Sequence, residues 1–167
     1  SQILIQPFST GYPRVSGNYY TSSNNSGTIT TMGFAGNRLD AGIMILSQKT
    51  TFDRIAIQVT TLSAGGLARV GVYTDNGSFY PGSLLFDGGA LDTSANGEKA
   101  AVISQTLNAG IYWLAINTNN AVNQVNKLSD AEAVGVLGRE VLTVSQHNGY
   151  YVASAYGALP ATYPAGA

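Results

Sequence analysis

The sequence predicts an all-β fold, a jelly-roll-like antiparallel β-sandwich preceded by a polar N-terminal arm. Three observations favour this fold class: short segments alternate apolar and polar residues, β-branched residues fill many apolar positions, and turns rich in Gly, Asn, Asp and Ser separate the segments. The chain has 167 residues and no cysteine, so its core forms without disulfides. We divide it into an arm at residues 1–31, a sandwich domain at 32–157 and a Pro- and Ala-rich tail at 158–167.

The arm is predicted to be largely irregular. Pro7 and Pro13 interrupt it, and residues 21–31 consist mostly of Ser, Asn, Gly and Thr. We expect one strand around Asn18–Tyr20. No basic segment precedes an apolar stretch here, which predicts no signal peptide, and no apolar run approaches the roughly 20 residues of a membrane span.

The clearest strand is Asp53–Thr61. Its side chains Ile55, Ile57 and Val59 face one way and polar residues face the other, which is the pattern of a half-buried strand. The apolar run Ile43–Leu46 precedes it and predicts another strand.

Further strands and turns alternate between residues 68 and 117. We predict strands at Ala68–Tyr73, Leu84–Phe86, Lys99–Thr106 and Ile111–Asn117. Turn-forming residues at 75–78, 87–89, 96–97 and 108–110 separate them. Trp113 lies in the most apolar of these strands, so we expect its side chain in the core.

The C-terminal part of the chain is less regular. Ser129–Leu142 combines a capping-box pattern and helical spacing with two glycines that oppose a helix, so a short helix and a strand or loop both remain open. Tyr150–Ala155 predicts a final strand. Two prolines exclude Leu159–Ala167 from a central strand, and we interpret this tail as a linker or a docked extension.

Composition argues against catalysis. Charged residues make up 10% of the chain and the formal net charge is −1, which leaves no electrostatic footprint for nucleic acid. The single histidine, His147, lies where a strand runs into a turn, and no nucleophile motif surrounds any serine. The carboxylates are scattered and several belong to turns, so a hydrolase with two facing acids is the weakest hypothesis. We predict no enzyme activity, no catalytic residues, no metal site and no cofactor.

The candidate binding residues lie in two loops. Asn76–Gly77 and Pro81 predict a protruding hairpin loop, with Phe79 and Tyr80 at its tip. Exposed rings can stack on sugar faces, and a polar, nearly uncharged surface suits neutral partners. The predicted ligand-binding residues are Asp75, Asn76, Phe79, Tyr80, Tyr150 and Tyr151. The alternative role for these aromatic rings is packing against a neighbouring subunit or covering a sheet edge. Asp75 and Asn76 also offer oxygens to calcium, although the EF-hand pattern is absent.

Four segments together resemble a domain of bacteriophage tail-fibre and minor tail structural proteins. They are TTFDRIAIQVTT (50–61), ARVGVYTDNGSFYPGSLLFDGG (68–89), SQTLNAGIYWLAINT (104–118) and YGALPATYPAGA (156–167). The most specific element is the order of a D-R-I strand, a V-Y-x-D-N-G hairpin and the run L-x-x-G-x-Y-W-L-A. The resemblance covers roughly residues 30–167, and none of its motifs is catalytic.

The resemblance implies a jelly-roll-like sandwich on a phage fibre, exposed outside the cell as part of the virion. It also implies a homotrimer, contacts with other virion proteins, and binding of host cell-surface polysaccharide. The resulting hypothesis is a non-enzymatic host-attachment domain that neither binds nucleic acid nor inserts into a membrane. Two alternatives remain: a purely structural, trimer-forming spacer or knob of a virion fibre, and a carbohydrate-binding module of a secreted enzyme.

Overall fold

Nine β-strands form the framework of the chain in the computed structural model, which describes residues 16–20, 29–128 and 149–166. The strands are β1 (Ile29–Gly33), β2 (Arg38–Leu46), β3 (Thr50–Thr61), β4 (Leu67–Asp75), β5 (Pro81–Asp92), β6 (Gly97–Leu107), β7 (Gly110–Thr118), β8 (Gln124–Leu128) and β9 (Gly149–Ala153). No helix in these ranges has the length and hydropathy needed to cross a membrane.

The strands form two antiparallel sheets that pack face to face. The four-stranded sheet has the order β1-β8-β3-β6, and the five-stranded sheet has the order β5-β4-β7-β2-β9. Every strand pair within them is antiparallel. The predicted all-β antiparallel sandwich is therefore confirmed, whereas its jelly-roll connectivity stays a prediction.

The space between the sheets holds the core that the alternating patterns predict. Val70 of β4 and Leu91 of β5 pack there with Ala101 of β6, and Ile55 and Ile57 of β3 pack against them. Because side chains alternate across a strand, each of these strands contributes every second residue to this layer.

A second apolar layer covers the other face of the five-stranded sheet. Tyr73 and Trp113 are fully buried in this second layer. The residues on either side of Tyr73 in β4 face the first layer, because side chains alternate along a strand. The side chains that cover them come from the C-terminal tail: Leu159 and Tyr163 belong to the same buried cluster. The tail is therefore a docked extension, and it covers the outer face of β4, β7 and β2 around Tyr73 and Trp113.

Hydrogen bonds hold the tail in place along its length. The Tyr163 hydroxyl donates to the carbonyl oxygen of Leu39 at 2.9 Å, and the Tyr73 hydroxyl donates to that of Pro160 at 2.9 Å. Gly71 leaves room for the docked tail, since a Cβ at this position would collide with a side-chain carbon of Leu159. A larger residue there would displace the tail.

Three predictions about the ends of the chain differ from the structure or lie outside it. The strand expected around Asn18–Tyr20 is wrong, because residues 16–20 form a turn and a non-strand segment. The final strand is Gly149–Ala153 and ends before Ala155, since the Ser154 N–H donates to the Asn37 carbonyl instead. Ser129–Leu142 and His147 lie outside the described residues, and the domain boundaries stay predictions.

Candidate functional site

The loop that joins β4 to β5 is rigid because its own side chains hold the backbone. One carboxylate oxygen of Asp75 accepts a hydrogen bond from the Gly77 N–H at 2.7 Å, and the Asn76 side-chain oxygen accepts one from the Ser78 N–H at 2.8 Å. The Asn76 N–H donates to the Tyr80 carbonyl at 2.9 Å and closes the loop. These are the local contacts that make Asp and Asn favourable in turns.

Phe79 projects from this loop in an unfavourable conformation. Its φ is 54°, in the left-handed region that bulky side chains rarely adopt, and its side chain is 49% exposed. A left-handed residue other than glycine costs about 1–2 kcal/mol. The prediction that Phe79 is exposed at the loop tip is confirmed.

Asp75 connects the loop to the buried core. Its second carboxylate oxygen accepts a hydrogen bond from the Trp113 indole N–H at 3.0 Å. Trp113 is fully buried, as predicted, and this bond satisfies its single polar group. Both oxygens of Asp75 therefore take part in supporting the loop from inside the protein.

Tyr80 and Tyr150 are not the exposed rings that the sequence predicts. Their ring centroids lie 4.7 Å apart, Tyr80 also contacts Tyr163, and Tyr150 contacts Trp113 at 5.3 Å. The Tyr80 hydroxyl donates to the carbonyl of Pro164 at 2.7 Å. The expectation of exposure is wrong for this pair because the tail folds back over the sheet and covers both rings.

Tyr151 is the second exposed aromatic ring, with 63% of the residue accessible to solvent. It points away from Tyr150 because neighbouring residues of a strand face opposite sides. The Arg38 guanidinium lies 4.7 Å from its ring centroid, a cation–π contact. Arg38 is itself held by Asp40 through contacts of 2.8 Å and 3.0 Å.

Burial has the largest effect on the pKa of Asp40 in its ion pair with Arg38. Burial raises the pKa of Asp40 above its ordinary value, and the hydrogen bond and charge of Arg38 oppose that rise. Arg38 and Asp40 are two residues apart in β2 and paired with β9, so the strand register places them near Tyr151. Sequence reasoning missed this pair, although the spacing Arg-x-Asp within a strand was the available signal.

The six predicted residues therefore have two roles: four support the loop and the core, and two present rings to solvent. Asp75, Tyr80 and Tyr150 are connected through Trp113 inside the protein, and Asn76 holds the loop backbone. Phe79 and Tyr151 present rings to solvent. Sequence reasoning missed Tyr163, whose ring contacts Tyr80 and belongs to the buried cluster.

A cleft of about 1050 Å³ lies beside β3. Its apolar walls include Met44, Phe52 and Leu114, which pack together between the sheets. At its rim the Tyr19 hydroxyl donates to a carboxylate oxygen of Glu98 at 2.6 Å. The cleft is thus continuous with the sandwich interior, and we do not assign a ligand to it.

Residues 16–20, 29–128 and 149–166 contain no cluster of side chains that could hold a metal ion. No three of their His, Asp and Glu side chains lie close enough together to hold a metal ion. The candidate site itself presents the exposed rings of Phe79 and Tyr151, amide groups and few charges.

No family model, no curated protein and no solved structure matches the chain in three separate comparisons. The resemblance to phage tail-fibre domains therefore depends on the sequence motifs alone. The fold and the two exposed rings define the protein as an all-β sandwich with aromatic groups on rigid supports.

Proposed function

We propose that the chain is a non-enzymatic attachment domain of a phage tail fibre or related appendage, and that it binds neutral polysaccharide on the host surface. The observation that carries the proposal is Phe79, a half-exposed ring at positive φ on a loop that hydrogen bonds hold rigid. Backbone strain in folded proteins concentrates at functional positions. An apolar ring held in a strained, exposed position is therefore a suitable contact for a partner.

The mechanism is adhesion without chemistry. A ring that is already held in place loses little conformational entropy when a sugar packs on it, so less binding free energy is spent on ordering. Tyr151 adds a second ring, and Arg38 on that ring leaves donors for sugar hydroxyl groups. Each contact is weak, and the several copies that a virion carries would multiply them.

Neutral glycans fit the charge of the chain better than acidic ones. The net charge is −1, and the arginine at the second ring is paired with a carboxylate. A site with little net charge gains little from a charged ligand. Extracellular exposure on the virion, a homotrimer and contacts with other virion proteins form the context that the resemblance implies and belong to this proposal.

Two alternatives make different use of the same rings. A purely structural spacer or knob predicts that Phe79 and Tyr151 become buried between copies of the chain. A carbohydrate-binding module of a secreted enzyme would use the rings in the same way but would be encoded beside a catalytic domain. The gene neighbourhood separates this last alternative from a virion protein.

The test compares glycan binding by beads that display many copies of the full chain. We expect the unmodified chain to adsorb to host cells and to neutral polysaccharide on a glycan array. Phe79→Ala and Tyr151→Ala should each weaken binding by about tenfold, the loss of one aromatic contact. Tyr19→Ala is the matched control, because Tyr19 is 52% exposed but bonds to Glu98 on the other sheet.

The outcomes are distinct. Binding that is lost in the two variants and kept in the control supports the proposal. Absence of binding by the unmodified chain, or equal binding by all variants, contradicts it. If the two variants instead change the mass of the assembly, the structural alternative is correct.

A further inference from the structure

The described residues contain four strands at the edges of sheets. β1 and β6 are the outer strands of the four-stranded sheet, and β5 and β9 are those of the five-stranded sheet. An edge strand exposes a row of N–H and C=O groups that can pair with another chain. Natural proteins protect long edges with bulges, charges, prolines or covering segments.

Three of these edges are short or protected. β1 and β9 are five residues long each. β5 is longer, but its pairing with β4 is interrupted by three register shifts, and Ser83 of β5 forms a bridge to Thr162 of the tail. None of the three offers a long, regular and free row of backbone groups.

The edge at β6 is long and uncharged over most of its length. It has 11 residues, and the eight from Ala100 to Leu107 include neither a charged residue nor a proline. Its pairing with β3 has a single register shift, where Ile103 and Ser104 of β6 both lie opposite Asp53, and burial still alternates along the whole strand. Val102, at the middle of the strand, is 90% exposed.

We propose that β6 pairs in antiparallel fashion with β6 of a second copy of this chain about a two-fold axis. Full overlap of the strand Gly97–Leu107 with its copy places Val102 opposite the Val102 of that copy, because Val102 is the midpoint. The two four-stranded sheets would then join into one continuous sheet. Val102 would contact its counterpart across the axis, and a pair of β-branched side chains stabilises such a cross-strand contact.

The charges of the strand, and the sheet face on which each side chain lies, agree with this register. Glu98 and Lys99 lie opposite Thr106 and Gln105 of the second copy, so no like charges meet across the axis. A shift by one residue would place exposed residues opposite buried ones and is therefore disfavoured. An identical strand meets the requirement of a two-fold interface that both copies contribute the same surface.

This inference goes beyond the proposed function and does not depend on it. It assigns a pair of copies to the domain and would therefore replace the homotrimer that the proposed function includes. Glycan binding through Phe79 and Tyr151 does not involve β6, so failure of either proposal leaves the other standing.

The first test is cysteine cross-linking of the full chain. The native chain has no cysteine, so Val102→Cys introduces a single thiol. Residues directly opposite in an antiparallel pair have Cβ atoms about 5 Å apart, close to the spacing of a disulfide. We expect Val102→Cys to form a disulfide-linked dimer under mild oxidation far faster than Val122→Cys, a matched control that is 59% exposed in the loop between β7 and β8.

The second test measures mass in solution by light scattering over about a hundredfold range of protein concentration. The unmodified chain and Val122→Lys should become dimeric as concentration rises. Val102→Lys should stay monomeric with an unchanged melting temperature, because a lysine on an edge blocks strand pairing and an exposed position tolerates it.

Three results would overturn the inference. The first is a chain that is monomeric at every concentration, and the second is a trimer whose mass Val102→Lys does not alter. The third is equal cross-linking of the two cysteine variants. A dimer that is lost only in Val102→Lys, together with selective cross-linking at that position, supports it.

Discussion

Phe79 combines two features that a folded domain normally avoids. It places an apolar ring in water, and its backbone lies at a φ of 54°. The hydrogen bonds from Asp75 and Asn76 to the loop backbone keep it in that conformation. The loop is therefore built around the position, and the ring itself contributes little to folding.

We predict that Phe79→Gly and Phe79→Ala separate stability from binding. Both variants lose the ring and should lose glycan binding to the same degree. Only glycine adopts positive φ without strain, so Phe79→Gly should exceed Phe79→Ala in free energy of unfolding by about 1 kcal/mol. Urea denaturation measures the difference. A glycine variant that is no more stable than the alanine variant would mean that the backbone at position 79 is not strained.

Tyr150 and Tyr151 show that one position along a strand decides whether a ring packs on the protein or is exposed. Tyr150 packs on Trp113 beneath the tail, whereas Tyr151 faces the other way and is exposed. Both residues are tyrosines that follow the same Asn-Gly pair in the sequence. Only the pairing of β9 with β2 and the path of the tail distinguish them.

The C-terminal tail packs against two of the predicted binding residues, Tyr80 and Tyr150, which are partly buried against the core. Leu159 and Tyr163 cover the face of the five-stranded sheet that carries Tyr73 and Trp113. Asp87 of β5 anchors the tail, since one carboxylate oxygen accepts the Leu159 N–H at 3.0 Å and pairs with Arg69 at 2.6 Å. The prolines prevent the tail from continuing a sheet ladder at those positions but do not prevent it from packing on the sheet.

We predict that Asp87→Asn makes tail docking less sensitive to acid. Burial acts to raise the pKa of Asp87, but the N–H groups of Leu159 and Gly89 and the charge of Arg69 together hold it below its ordinary value. A lowered pKa stabilises the fold above the ordinary range of Asp, near pH 4, and this contribution is lost as pH falls through the lowered value.

At neutral pH, Asp87→Asn should therefore be less stable than the unmodified chain by about 1.5–3 kcal/mol, the range for hydrogen bonds to a charged group. The difference should shrink steadily as pH falls below 4 or so. Thermal melts from neutral to acidic pH measure it, with Asp53→Asn as a control because that carboxylate is exposed. A difference that stays constant with pH would contradict the role assigned to Asp87.

The whole molecule consists of two apolar layers with the five-stranded sheet between them. One layer lies between the two sheets, and the other lies under the tail. Because only 10% of the residues are charged and the formal net charge is −1, the surface is nearly neutral. Such a surface favours partners that bind through rings and hydrogen bonds.

We predict that glycan binding depends weakly on salt. Between low and physiological ionic strength, the apparent affinity should change by less than about twofold, because screening acts only on charges and the chain has a net charge of −1. The bead assay at several salt concentrations measures this dependence. A steep loss of binding with salt would indicate an acidic ligand that contacts basic residues.

Sequence alone predicted the features that depend on local pattern. Alternation identified β3, turn residues identified the loop between β4 and β5, and the apolar surroundings of Trp113 placed it in the core. Each of these follows from residues close together in the chain. The strand expected around Asn18–Tyr20 failed because it had aromatic residues without an alternating pattern.

By itself, the sequence determined that this chain is an all-β sandwich with a nearly neutral surface. Strand periodicity depends only on residues close together in the chain, and composition is a sum over all residues. Tertiary structure alone decided which aromatic rings are exposed. Tyr80 is covered by a tail more than 80 residues away in the chain, with its hydroxyl bonded to Pro164. A contact between residues so far apart in the chain depends on where the tail folds back onto the sheet. The pattern of neighbouring residues contains no information about that.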